Sequence, residues 1–271
     1  MDIQTMVESC EECQSLLPSQ TAEPLEQTTA TFPMEKVSMD LYSLQGKQYL
    51  VMSDRYSGYP FVHLLRKETT AAVTSKLQEW FSDLGRPTSI RSDGGPQFRS
   101  EFKEFCAGLG IEVETSSPHH PKSNGHAESA VKQVKTLLRK NHGILNQAFK
   151  DALQEWRNCP RSDGFSPAQM FYGRRQRSSL PILPQALAPI DHSAAQEGRQ
   201  NAAIRKKVHF DQTTRPLKPL NSGQRVRVQD PKSKRWTHKG VITKTFGRRY
   251  SVKLEGGGEW IRNRVYIRPQ K

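Results

Sequence analysis

Ser92-Asp93-Gly94-Gly95-Pro96-Gln97-Phe98 and Pro118-His119-His120-Pro121-Lys122-Ser123-Asn124-Gly125-His126-Ala127-Glu128 frame the stretch, Ser92 to Arg139, on which the fold is decided. Just ahead of it, Val73, Leu77, Trp80, Phe81 and Leu84 recur at the spacing of one helical face, with Thr69/Thr70 as the cap and Gly85 and Pro87 as the stop. Thr88–Ser92 then reads as a strand. Helix plus strand make a crossover that leaves Asp93 at the strand's C-terminal edge, where open α/β sheets place their chemistry. Phe102, Phe105 and Leu109 mark a short helix ended by Gly110, and residues 111–115 a further strand. The helix carrying Glu128 has two readable faces. Ala127, Ala130, Val131, Val134, Leu137 and Leu138 form an apolar stripe, and Glu128, Lys132, Lys135 and Arg139 a second stripe beside it. A row of one acid and three bases is ordinarily a solvated ion-pair face. Here it follows a lead-in with Pro118, Pro121 and Gly125 that a merely structural helix does not require.

Upstream, Val37-Ser38-Met39-Asp40-Leu41-Tyr42 alternates apolar and polar residues as a half-buried strand does, and so places a third carboxylate, Asp40. Strands over Glu35–Tyr42, Tyr49–Ser53 and Tyr59–Leu65 form an antiparallel meander. The order is β-β-β-α-β-α-β-α. Asp54, the competing carboxylate, reads as a turn former. Residues 144–157, with Phe149, Leu153 and Trp156 on one face, complete the helices of this core.

The 271 residues allow one large domain plus a small one, and the 34% hydrophobic content leaves room for linkers. Net charge is +14, unevenly spread: residues 1–173 hold 18 Lys/Arg against 21 Asp/Glu, a balance of −3, and residues 174–271 hold 23 against 6, a balance of +17. That asymmetry points to a polyanion, nucleic acid before membrane, because neither a membrane-length apolar run nor a signal-peptide core is found. Cys10, Cys13, Cys106 and Cys159 read as reduced thiols. Cys10-x-x-Cys13 offers half of a zinc site without histidines to complete it, so zinc is not expected and the plainer reading is two free thiols on an N-terminal helix. Residues 15–33 read as a connecting arm.

The C-terminal part changes period. Residues 176–196 are linker, and residues 197–213 a basic helix with Arg199, Arg205, Lys206 and Lys207. From Leu220, Arg225–Val228, Gly240–Lys244 and Tyr250–Leu254 alternate apolar with basic residues between turns at Asp230-Pro231, Gly247 and residues 256–258. Trp236, Phe246, Trp260 and Tyr266 are the expected core of a small five-stranded barrel. Its outward bases (Arg225, Arg227, Lys234, Arg235, Arg248 and Arg249) suit phosphate contact, which gives affinity without sequence information.

Asp40, the Ser92–Phe98 motif and the His120–Glu128 motif together resemble the catalytic core of integrases from retroviruses and long-terminal-repeat retrotransposons, in particular the Ty3/Gypsy type. Gly164-Phe165-Ser166-Pro167-Ala168 and Gly173-Arg174 resemble the end of that core, and the C-terminal barrel resembles the SH3-like domain of the same proteins. The resemblance covers the chain from about residue 25 onward. It departs from the family in the interval 94–127 between Asp93 and Glu128, one residue short of the usual spacing, and in Gly94, Lys122 and the truncated zinc module.

The resemblance implies an α/β fold: an RNase H-like core, with a five-stranded mixed sheet flanked by helices, followed by a small all-β SH3-like barrel. The implied division is 1–24 (remnant zinc module and arm), 25–182 (catalytic core), 183–219 (linker with basic helix) and 220–271 (basic barrel). Asp40, Asp93 and Glu128 become the catalytic acids and ligands of Mg²⁺ or Mn²⁺, hard cations suited to clustered carboxylates. Asn124, Lys132, Lys135 and Arg139 become DNA contacts. The expected activity is two-metal phosphodiester chemistry that processes DNA 3′ ends and joins them to target DNA. The expected partners are DNA and further copies of the chain, with no membrane, and the setting is the nucleus, where target DNA lies, with the cytoplasm as a second compartment. The alternative is a domesticated, non-catalytic DNA- or chromatin-binding protein that keeps the fold. A simple RNase H-type nuclease shares the fold but leaves the Asn124-Gly125 lead-in and the basic tail unexplained.

Overall fold

The computed structural model describes residues 3–24, 29–93, 95–115, 125–191 and 193–270. Two short helices, α1 (Ile3–Ser9) and α2 (Glu11–Ser15), open the chain. The meander follows as β1 (Lys36–Leu44), β2 (Lys47–Asp54) and β3 (Pro60–Leu65). Next come α3 (Thr70–Leu84), β4 (Ser89–Ser92), α4 (Ser100–Gly108), β5 (Glu112–Thr115), α5 (Gly125–Lys140), α6 (Gln147–Asn158) and α7 (Pro167–Tyr172). Local chemistry sets the ends of α3 as its sequence predicts: the Thr69 side chain accepts the Ala72 N–H, and Gly85 takes a left-handed φ of 87°.

The five strands form one mixed sheet in the order β3-β2-β1-β4-β5. The meander pairs antiparallel, and the crossover through α3 returns β4 parallel to β1. A second crossover through α4 sets β5 parallel to β4. This is the RNase H-like arrangement. Alternation sends Val37, Met39, Leu50, Met52 and Ile90 to one face, where they pack with Val73, Leu77 and Phe81 of α3 and Phe102 and Cys106 of α4. Tyr49 and Val51 line the other face under Val131, Val134 and Leu138 of α5 and Phe149 and Leu153 of α6. Asp54 is fully buried. Its carboxylate accepts the N–H groups of Met34 and Ser57 and the Ser57 hydroxyl, and so ties the β2–β3 turn to the start of β1. Burial pushes its pKa up.

The long helix α8 (Ser193–Asp211) leads out of the core. The C-terminal strands are β6 (Arg225–Val228), β7 (His238–Phe246), β8 (Arg249–Leu254), β9 (Glu259–Asn263) and β10 (Ile267–Pro269), an all-antiparallel sheet in the order β10-β6-β7-β8-β9. Its core differs from the aromatic one expected. Leu220, Val226, Val228, Ile242, Tyr250, Val252, Leu254 and Ile267 fill it, with Trp260 packed at its side. Trp236 is fully buried, but Phe246 stands 49% exposed. The register slips between Ile242 and Lys244, and an extra residue in one strand bends it and re-aims the side chains beyond. Residues 10–24 belong to the same unit as this sheet. Among the described residues no helix is long and apolar enough to cross a membrane.

Phe102 is wholly buried and meets Phe98 edge to face at 5.2 Å. Phe102→Ala is therefore expected to cost about 3–5 kcal/mol in chemical denaturation, the usual cost of emptying an aromatic core site.

Candidate active site

Asp40 lies on β1, the central strand, opposite Val51 of β2. Its neighbours Met39 and Leu41 point into the α3/α4 core, so alternation turns Asp40, with Ser38 and Tyr42, to the face covered by α5 and α6. On the other side β1 runs parallel to β4, with Ser38 aligned to Arg91. Asp40 lies two residues beyond Ser38 on β1, and Asp93 two residues beyond Arg91, just past the end of β4. Asp93 is exposed, and its Oδ1 accepts the Gly95 N–H at 3.1 Å.

Gly95 leaves room for this turn: a Cβ there would stand 3.0 Å from Asp93 Oδ1 and 3.2 Å from Gln97 Oε1. The carboxylate and the amide thus converge on one point. Gln97 is held in turn by Glu68, whose Oε1 accepts its Nε2 at 2.6 Å while Oε2 accepts Gln48 Nε2 at 2.9 Å. Sequence reading passed over Gln97 and Glu68. Gln97 lies inside the motif, but Glu68 sits in the β3–α3 connection, where periodicity gives no signal.

The basic row on α5 resolves into three different environments. Lys135 donates to Asp40 Oδ2 at 2.6 Å, and its ammonium lies 5.0 Å from the centre of the Tyr42 ring. Arg139 donates through Nε to the Tyr42 hydroxyl at 2.9 Å. Lys132 is exposed. Glu128 occupies α5 seven residues before Lys135, about 10.5 Å along the axis. The structure describes its helical position and not its side chain, and Asn124 with the rest of residues 116–124 lies outside the described residues. Among the described residues no group of three or more His, Cys, Asp or Glu is placed to hold a metal.

A third acid on this face has another task. Glu114 of β5 takes Arg91 Nε at 2.9 Å and Arg91 Nη2 at 2.6 Å on one oxygen, with Arg55 Nη1 at 3.4 Å, and the Ser89 hydroxyl at 3.0 Å on the other. Burial works to raise its pKa, but the two guanidiniums outweigh it and hold the carboxyl below the usual range. Its oxygens are committed to these partners. By contrast, the paired side chains of Asp40 and Lys135 remain 30% and 26% exposed, within reach of solvent and ligands.

At the N-terminus, Cys10 caps α2: its Sγ accepts the Cys13 N–H at 3.4 Å. Among the bases expected to face DNA, Arg225, Lys234 and Arg235 are exposed, and Arg248 and Arg249 half-buried. Arg227 is only 8% exposed, because Glu11 lies against it.

Residues 30–121 match the family model described as the integrase core domain. Uncharacterized protein K02A2.6 of Caenorhabditis elegans is 30% identical over 257 residues, 91% of this chain and 20% of its own length. The Gag-Pro-Pol polyprotein of Human T-cell leukemia virus 3 (strain 2026ND) is 39% identical over 106 residues, 37% of this chain and 7% of its own length. The chain thus spans a fifth or less of these curated relatives. A chain from the cryo-EM structure of the simian T-cell lymphotropic virus intasome in complex with PP2A regulatory subunit B56 gamma shares the fold. It has a TM-score of 0.61 at 19% identity, with 99% of this chain and 90% of that one covered.

Glu114→Gln should lower stability by about 1–3 kcal/mol at pH 7, the cost of stranding buried partners. A depressed carboxyl pKa contributes stability above the unfolded value of 4.5 and loses it as pH falls through the folded value. Thermal melts of the two proteins should therefore converge on acidification below about pH 4.5.

Proposed function

We infer that this chain, with an integrase core domain over residues 30–121 as premise, is an integrase-type polynucleotidyl transferase that trims DNA 3′ ends and joins them to target DNA. One juxtaposition carries the reading: the parallel β1–β4 register brings Asp40 and Asp93 towards one sheet edge, and a lysine of α5 reaches the first of them at 2.6 Å.

The donor set fits a divalent metal. Asp40 has one described side-chain partner and keeps part of its surface open; Asp93 is exposed and engaged by one backbone N–H. Both are hard oxygen donors of the kind that Mg²⁺ or Mn²⁺ takes. Asp40, Asp93 and Glu128 would hold such ions, which when bound supply an activated oxygen and charge neutralisation for in-line displacement at phosphorus. The remaining work falls to the chain itself. Lys132, Lys135 and Arg139 run for two turns along α5 and would hold the DNA end against the acids, with Asn124 at the approach. The Tyr42 ring steadies both Lys135 and Arg139, so the cations reach the acid edge already oriented. Arg225, Lys234, Arg235 and Arg249 of the C-terminal sheet would add phosphate contacts that give affinity without sequence preference. Action on two DNA ends at a target suits several copies working together, in the nucleus.

The deciding experiment is a strand-transfer assay on short duplexes with Mg²⁺ or Mn²⁺. Asp40→Asn, Asp93→Asn and Glu128→Gln are each expected to abolish cleavage and joining while moving the melting temperature little. A wild-type protein that binds DNA but joins nothing under any metal condition would replace this reading with that of a non-catalytic DNA-binding protein. Lys132→Gln with Lys135→Gln, which removes both charges without setting a carboxylate against Asp40, should depress joining steeply with stability within about 1 kcal/mol per site, since both ammoniums keep access to solvent. Unchanged joining in that double variant would leave these lysines with no part in holding the DNA end. Replacing Arg225, Lys234 and Arg235 by Glu should weaken binding to all duplexes alike and flatten the plot of log K against log salt by about 0.9 for each phosphate left without its cation.

A further inference from the structure

Three cations stand in a row across the C-terminal sheet. In the observed register Arg227 of β6 lies directly opposite Lys239 of β7 on one side and Arg268 of β10 on the other. Neighbouring strands are about 4.8 Å apart, so three positive side chains rise from one face at close quarters. Like charges directly opposed across strands are destabilising, and such a ladder calls for an anion.

The chain's own N-terminal segment supplies one. Glu11 takes Arg227 on one carboxylate oxygen and Lys239 on the other, and the two contacts hold its carboxyl below the usual range, Lys239 having the larger effect. The third cation, Arg268, donates to the Pro18 carbonyl at 2.7 Å. From there residues 15–20 run along the sheet as a strap. The Trp236 N–H and indole N–H donate to the carbonyls of Ser15 and Leu17 at 2.9 and 2.8 Å. Gln229 reaches Ser19 at 2.8 Å, and the Gln20 amide donates to the carbonyls of Val265 and Ile267 at 2.8 and 2.9 Å. The contact is uneven. Beyond Ser15 the strap is anchored by dipoles and by burial, whereas at the ladder one carboxylate, itself 58% exposed, meets two of the three positive charges, the third, Arg268, lying 4.7 Å from the centre of the Trp236 ring. Among the ion pairs of the described residues, Glu11 is the carboxylate that meets this ladder, and it meets two of the three cations.

We propose that Arg268, Arg227 and Lys239 form a second DNA-backbone site, occupied in the free protein by the acidic end of the strap and taken by phosphates when Glu11 withdraws. The proposal rests on the reading of this sheet as a DNA-binding surface. DNA is the favoured occupant because it presents phosphate charges in a continuous row that can match all three cations at once, where Glu11 matches two. Strap and DNA exclude one another at these side chains. The protein therefore binds DNA less tightly than its exposed bases allow, and DNA binding loosens the segment from Cys10 to Ser15.

The test uses the full chain, a short fluorescent duplex and a salt series. Glu11→Gln, which keeps the side chain's shape and removes its charge, is expected to raise affinity about two- to fivefold, the scale of one released ion pair. The slope of log K against log salt should steepen by about 1 to 2, as one or two more phosphates are neutralised. Glu12→Gln, the same charge change one residue away, is expected to leave both unchanged; an equal rise there, or no rise with Glu11→Gln, overturns the proposal. On the wild type, hydrogen exchange over residues 10–15 should speed up several-fold when DNA is added in excess. Unchanged or slower exchange with DNA bound rejects the proposal and leaves the DNA-binding reading standing. Failure of the wild type to bind any duplex removes both together.

Discussion

The parallel pairing of β1 with β4 is the contact on which the candidate site depends. It aligns Ser38 with Arg91, two residues before Asp40 and Asp93 respectively, although more than fifty residues lie between the two acids. The pairing holds because Val37, Met39 and Ile90 alternate into one core beneath α3 and α4. A slip of one residue would turn this whole set out of the core and the acids into it. Hydrophobic register and the placement of the carboxylates are therefore one constraint.

Three charged groupings recur in the molecule, and each is balanced differently. Glu114 is saturated by Arg91, Arg55 and Ser89 and is structural. Among the described residues Asp40 has a single ammonium beside it, and its side chain stays 30% exposed. In the ladder of Arg227, Lys239 and Arg268, Glu11 bridges the first two cations. The degree of neutralisation separates a finished ion-pair network from groups that keep free capacity for a ligand. Total charge does not make that distinction: the C-terminal +17 is visible from composition, yet Arg227 within it is buried and engaged while Arg225 two residues away is exposed.

The Lys135–Asp40 pair corrects the simplest view of the α5 row. Helical spacing groups Lys135 with Glu128, because only neighbours on the same helix can be read from the order of residues. In the folded chain the ammonium finds a partner 95 residues upstream, on a strand. The row thus joins the acid edge of the sheet to the helix that carries the third acid.

Much was legible in the order of residues, because strand alternation and helical spacing repeat every two and 3.6 residues and write themselves into a few consecutive positions. The meander, the α3 cap at Thr69 and its stop at Gly85, Asp54 as a turn former and three of the five C-terminal strands, β6, β7 and β8, follow from such local signals. Only the tertiary structure decided the rest. It set Glu68 beside Gln97, turned Phe246 outwards past an irregularity in β7, and laid residues 15–20 against a sheet more than two hundred positions away. These depend on register shifts and on side chains meeting across long loops. The closure of such contacts is governed by the packing of the whole chain, which no short window of sequence contains.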